Sequence, residues 1–124
     1  MIGILIAEDN HALRELLAER LVSKGFEVYQ APNGRIALDL VSKHHPQAIV
    51  TDFNMPGLSG LELTQMARAM GVTAPIYLFS GETVECAEAF LAAGGTLTFQ
   101  KPDDGTRLIE MIETRHKPKS RAKE

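Results

Sequence analysis

Five short apolar runs alternate along this chain with five stretches of helical spacing, and few folds accommodate that order. Ile2–Ala7 is an apolar run of the kind expected for a strand covered on both faces. Leu13, Leu16, Leu17 and Leu21 then fall at helical spacing, with Asn10 placed to cap the helix and Gly25 to end it. Phe26–Gln30 reads as a second strand. Asn33 can cap a second helix whose inner face uses Ala37, Leu38 and Val41; Pro46 follows it, and Ala48–Asp52 forms a third strand. Ser59 and Glu62 have capping-box spacing, and Leu63, Met66, Ala67 and Met70 repeat behind them at i, i+3, i+4, i+7 until Gly71. Met66 and Met70 are therefore expected in the core. Ile76–Ser80 is the fourth strand, a helix covers Val84 to Ala93, Leu97–Gln100 is the fifth strand, and a last helix runs from Asp104 to Thr114.

Strands separated by helices point to a parallel sheet with helices on both faces, because parallel neighbours need long crossovers. In such sheets the ligand crevice lies beyond the carboxyl ends of the strands. The residues that end the strands are therefore where chemistry is expected. The first strand ends in Glu8-Asp9, the third in Asp52, the fourth in Ser80 and the fifth in Lys101.

Taken singly, each has an ordinary explanation. Acids favour a helix N-terminus, a serine suits a turn, and a lysine before proline suits a surface. Together they do not. Three acids crowded in a partly desolvated crevice repel one another, so either some stay protonated or a cation sits among them. Oxygen donors without His or Cys favour a hard ion, magnesium before calcium. A lysine and a hydroxyl beside the same cluster make sense if an anion also visits. Phosphoryl transfer needs these parts: a nucleophilic oxygen, a metal, a cation and positioned donors.

Composition narrows the class further. With 124 residues, 44% hydrophobic and 23% charged, the chain fits one ordinary globular domain. No apolar run is long enough for a membrane span, and the apolar start lacks the basic leader of a signal peptide. The single cysteine, Cys86, excludes an internal disulfide, suits a reducing cytoplasm and reads as a buried structural thiol. Residues 1–114 hold eight of the 13 basic residues and 15 of the 16 acidic ones, a net −7, so a short basic tail follows an acidic body. His11, His44, His45 and His116 have no metal-pair spacing and are read as solvated side chains.

Four segments, ILIAEDN, IVTDFNMPGLSG, LFSGE and TFQKP, occur in order on the elements described, and with them the chain resembles the receiver domains of two-component signalling. The resemblance spans nearly the whole sequence. It implies a flavodoxin-like α/β fold, a five-stranded parallel sheet with helices on both faces, over residues 1–115. Residues 116–124 would form a basic, disordered tail. It also implies that Asp52 accepts a phosphoryl group, with Mg2+ held by Asp9, by Glu8 through water, by Asp52 and by the backbone carbonyl of Asn54. Ser80 matches the hydroxyl that turns toward the phosphoryl group, Lys101 the lysine that pairs with it, and Lys101-Pro102 a cis peptide. The implied donor is a histidine kinase or histidine phosphotransfer protein, and the output is contact with a downstream protein partner in the cytoplasm. Neither a membrane nor nucleic acid is an expected partner, and no enzymatic turnover of outside substrates is expected. A stand-alone switch and a fragment of a longer regulator remain equal readings.

Two other readings belong to different classes. A magnesium phosphohydrolase with an aspartyl nucleophile would carry its acids two residues apart after the first strand, whereas Glu8 and Asp9 are adjacent. A degenerate receiver serving only as a binding module would have lost site residues, and none is missing here. One position does depart from the family pattern. An aromatic residue is common three places before the lysine, and this chain has Thr98, with Phe99 one place later. Adjacent strand residues face opposite ways, so Phe99 does not replace it.

Overall fold

The computed structural model describes residues 1–117. Its strands are β1 (Gly3–Ala7), β2 (Glu27–Ala31), β3 (Ala48–Thr51), β4 (Ile76–Ser80) and β5 (Leu97–Gln100), all parallel in the order β2-β1-β3-β4-β5. The helices are α1 (His11–Ser23), α2 (Gly34–His44), α3 (Gly60–Ala69), α4 (Val84–Ala92) and α5 (Gly105–His116). The strand order turns back at β1, between β2 and β3, so the crevice lies above β1 and β3.

Why the strands read as continuously apolar is plain from the two cores. Ile4, Ile6, Val50, Tyr77 and Phe79 pack on one face against Leu17 and Leu21 of α1 and Leu108 and Ile112 of α5. The intervening Leu5, Ala7, Ile49, Ile76 and Leu78 pack on the other against α2, α3 and α4. Both sides of β1, β3 and β4 are buried because both are covered, whereas the edge strands β2 and β5 keep exposed polar residues.

Local capping follows the sequence closely. The side chains of Asn10, Asn33 and Ser59 accept from the backbone N–H of Leu13, Ile36 and Glu62, and Glu62 completes the capping box by accepting from the Ser59 N–H. Thr83, unremarked in the sequence, caps α4 through the Cys86 N–H. The peptide between Lys101 and Pro102 is cis.

Three expectations need correction. Met66 and Met70 are 42% and 49% exposed, because the buried stripe of α3 is Gly60, Leu63, Thr64 and Ala67. Gly60 and Thr64 hide that stripe from a hydrophobic count. Thr64 satisfies its hydroxyl by donating to the Gly60 carbonyl, so a polar residue sits in the core at little cost. Cys86 is half-buried, since α4 buries only Phe90 fully and leaves Val84 and Leu91 exposed. His116 is no freely solvated side chain: its Nε2 lies 3.0 Å from the Tyr77 hydroxyl, and burial followed by the charge of Arg115 holds its pKa below the ordinary histidine value. It closes α5, so the helix runs past the expected boundary at residue 115. The rest of the expected basic tail, 118–124, lies outside the described residues.

Gly60 also sets the floor of the crevice. A Cβ there would collide with the carbonyl oxygen of Asp52, and the Gly60 N–H donates to the Phe53 carbonyl at 2.7 Å. Because the obstacle is backbone, it cannot rotate away. Gly60→Ala is expected to cost about 3 kcal/mol, the upper range for forcing atoms into a packed site. Urea denaturation measures it, and a variant as stable as the parent would contradict the packing described.

Candidate functional site

β1 delivers Glu8 and Asp9 to the carboxyl edge of the sheet, and β3 delivers Asp52 beside them. Carboxylate oxygens of all three lie within 4.8 Å of one another. Lys101, just past β5, reaches back across the sheet. Its Nζ is 2.8 Å from Glu8 Oε1 and 3.1 Å from Asp52 Oδ2, and it lies 5.9 Å from the centre of the Phe79 ring. Four of the residues singled out from the sequence thus meet directly.

Their environments differ in a useful way. Glu8 is 2% exposed, with its second oxygen accepting from the Asn10 N–H at 3.0 Å. Burial pushes the Glu8 carboxyl above the ordinary glutamate value; Lys101 and the Asn10 N–H oppose that shift, and the Asp52 charge adds to it. Burial also works against the Lys101 ammonium. The bond to Glu8 and the charges of Asp52 and Glu8 outweigh it and hold the Lys101 pKa above the usual lysine range. Asp52 is half-buried and accepts from the Phe53 N–H at 2.7 Å, which leaves Oδ2 directed to Lys101. Asp9 is exposed.

Ser80 and Asn54 complete the rim. Ser80 is 5% exposed, its Oγ accepts from the Glu82 N–H at 3.3 Å, and its carbonyl accepts from the Lys101 N–H at 3.1 Å. The serine and the lysine are therefore tied through the backbone. The Asn54 side chain donates to the Glu82 carboxylate, joining the loop after β3 to the loop after β4 over the crevice. Glu82 was not a candidate from the sequence, and neither was Arg14, whose guanidinium donates to the Glu8 carbonyl at 2.9 Å. Glu82 falls inside the LFSGE segment, but only the tertiary contact reveals its partner. On β5, Thr98 is exposed beside Leu78, whereas Phe99 is 8% exposed and meets Tyr77 edge-on with ring centroids 6.4 Å apart.

Three carboxylates against one ammonium leave an excess of negative charge when all are ionised, and the donors are all oxygen. Such a set suits a hard divalent cation, so the residues present fit a metal site. The sequence profile of the response regulator receiver domain matches residues 4–113. The chain belongs to the response-regulator receiver family. Its relatives include the response regulator MprA of Mycolicibacterium vanbaalenii, 37% identical over 82% of this chain. The receiver spans only 44% of that protein. Sporulation initiation phosphotransferase F of Bacillus subtilis is 30% identical, over 89% of this chain and 90% of the relative. A solved structure of a Vibrio cholerae chemotaxis protein superposes with a TM-score of 0.84 at 28% identity, covering 92% of this chain and 98% of the other. Among the described residues of this receiver, no helix is long and apolar enough to cross a membrane.

The electrostatics make Asp9 the test residue. It faces the other two carboxylates without the burial of Glu8, so its charge repels more than it stabilises until a cation arrives. Asp9→Asn is expected to raise the metal-free melting midpoint by a few degrees, about 3 °C. If a divalent cation binds the three carboxylates, the same change should also remove the stabilisation that added cation gives the parent. Calorimetric scans with and without magnesium decide it, and an undiminished magnesium shift would refute the assignment.

Proposed function

We infer that this receiver is a phosphoacceptor switch in which Asp52 takes a phosphoryl group from a phosphohistidine on a kinase or phosphotransfer protein, with Mg2+ at Glu8, Asp9, Asp52 and the Asn54 carbonyl. The observation that carries this reading is the Lys101 ammonium bridging Glu8 and Asp52 at the carboxyl edge of the sheet. An amine held there by two carboxylates is preorganised for an anion that forms on one of them.

In the transfer, an oxygen of the Asp52 carboxylate attacks phosphorus. The new P–O bond forms as the P–N bond to the donor imidazole breaks, and the imidazole leaves with the electron pair. Bound magnesium would neutralise the equatorial phosphoryl oxygens. Phe53 N–H fixes the Asp52 carboxylate. Lys101 pairs with the added charge, and Ser80 rotates its hydroxyl toward it, releasing the Glu82 N–H.

Signalling then passes to a protein partner through movement of the loop after Ser80 and of α4. Thr98 is small, exposed and β-branched, so no large ring can swing at that position. Phe99 is locked on the opposite face, and moving it across would require a register slip of β5.

Two experiments address these statements. Incubation with magnesium and a small phosphodonor should give one acyl phosphate, read by mass spectrometry, and Asp52→Asn should abolish it because an amide is not a comparable nucleophile. A full-level adduct in that variant would move the acceptor elsewhere. Separately, a beryllofluoride mimic should shift NMR signals of α4 and of the loop after Ser80 while leaving the Phe99 ring in place. A reoriented Phe99 with α4 unchanged would reverse the output model.

A further inference from the structure

Glu8 and Asp9 lie on a three-residue connection between β1 and α1, and every element around it is tied to one side chain. Arg14, half-buried in the second turn of α1, donates from Nη1 to the Glu8 carbonyl at 2.9 Å and from Nε to Gln30 Oε1 at 3.2 Å. Its Nη2 lies 3.0 Å from His11 Nδ1. Its own backbone N–H donates to the Asn10 carbonyl, and the Glu8 N–H donates to the Ala31 carbonyl of β2. The guanidinium thus spans the end of β1, the end of β2 and the first turn of α1 with a planar fork that a lysine could not reproduce.

We propose that Arg14 is a positioning residue for the metal site, fixing the Glu8–Asp9 peptide so that Asp9, which is exposed, is aimed at the crevice. The inference rests on the phosphoacceptor reading above. Arg14 bonds to the Glu8 carbonyl through its side chain, and its test is the geometry of the peptide that both acids share. The peptide between Glu8 and Asp9 joins both acids, so a change in the φ or ψ angles that flank it would redirect Asp9 relative to the anchored Glu8. Glu8 is held by Lys101 and by the Asn10 N–H. Among the described residues, the bond from Arg14 is the one hydrogen bond to the carbonyl end of that peptide.

The sign of the effect separates positioning from simple electrostatics. Arg14 is a cation near a cation site, so by charge alone Arg14→Gln should tighten magnesium binding. If Arg14 positions the loop, the same change should weaken it, roughly tenfold, as is usual when a residue orienting a metal ligand is removed. A merely structural role would lower the melting temperature and leave the affinity of the folded protein unchanged.

The experiment is magnesium chloride titration by calorimetry on the full chain, with folding checked by circular dichroism at the same temperature. Arg14→Gln should bind roughly tenfold more weakly, Arg14→Lys should fall between it and the parent, and Gln30→Ala should weaken binding modestly by freeing one arm of the fork. The lysine and Gln30 variants carry the test if Arg14→Gln does not fold, and unchanged affinity in both overturns the proposal. So does an Arg14→Gln protein that binds magnesium as well as, or better than, the parent. A parent chain that takes up no magnesium overturns the phosphoacceptor reading and this inference with it, whereas a binding parent with unaffected variants overturns this inference alone.

Discussion

A glutamate with 2% of its surface exposed needs a cation or hydrogen-bond donors against it to stay ionised, and the carboxyl edge of this sheet supplies both. Lys101 meets Glu8 at 2.8 Å and meets Asp52 at 3.1 Å with the same nitrogen. Removing one partner of a buried pair typically costs about 3–5 kcal/mol, because the other charge is left without compensation. The lysine therefore joins three parts of the fold, the ends of β1, β3 and β5, by a single interaction. That interaction is also the one an incoming anion on Asp52 would redistribute.

The rim around the charges is built from hydrogen bonds between loops rather than from strand pairing. Asn54 and Glu82 join two loops by side chains alone, and Ser80 is held by one N–H at 3.3 Å. Beneath them β1, β3 and β4 are buried along their whole length and paired on both sides. The loops and α4, which buries only Phe90 fully, are the parts of this edge least anchored in the core. On β5, Thr98 faces solvent while Phe99 is packed edge-on against Tyr77 in the core.

How much could be read in advance depended on whether a residue's role was local. Asn10, Asn33 and the Ser59–Glu62 pair were legible because a cap is an interaction between residues three apart. Strand ends were legible because burial on both faces leaves an uninterrupted apolar run that stops abruptly at a charge. Helix faces were less so. On α3 the stripe runs through Gly60 and Thr64, whose burial depends on close backbone approach and on an internal hydrogen bond, and the two methionines beside it fall outside. The same limit applies to His116, whose partner Tyr77 is 39 residues away.

The order of elements, their caps and the acids, hydroxyl and lysine that end the strands could be read along the chain, since each follows from periodicity and from near neighbours. Which of these charges meet, which is buried and what holds them came from the folded arrangement. The burial of Glu8, its pairing with a lysine 93 positions later, and the Arg14 fork that spans two strand ends all depend on the parallel register that brings β1, β2, β3 and β5 to a common edge. Electrostatic strength depends on distance and on exclusion of water, and neither quantity exists until the chain has closed on itself.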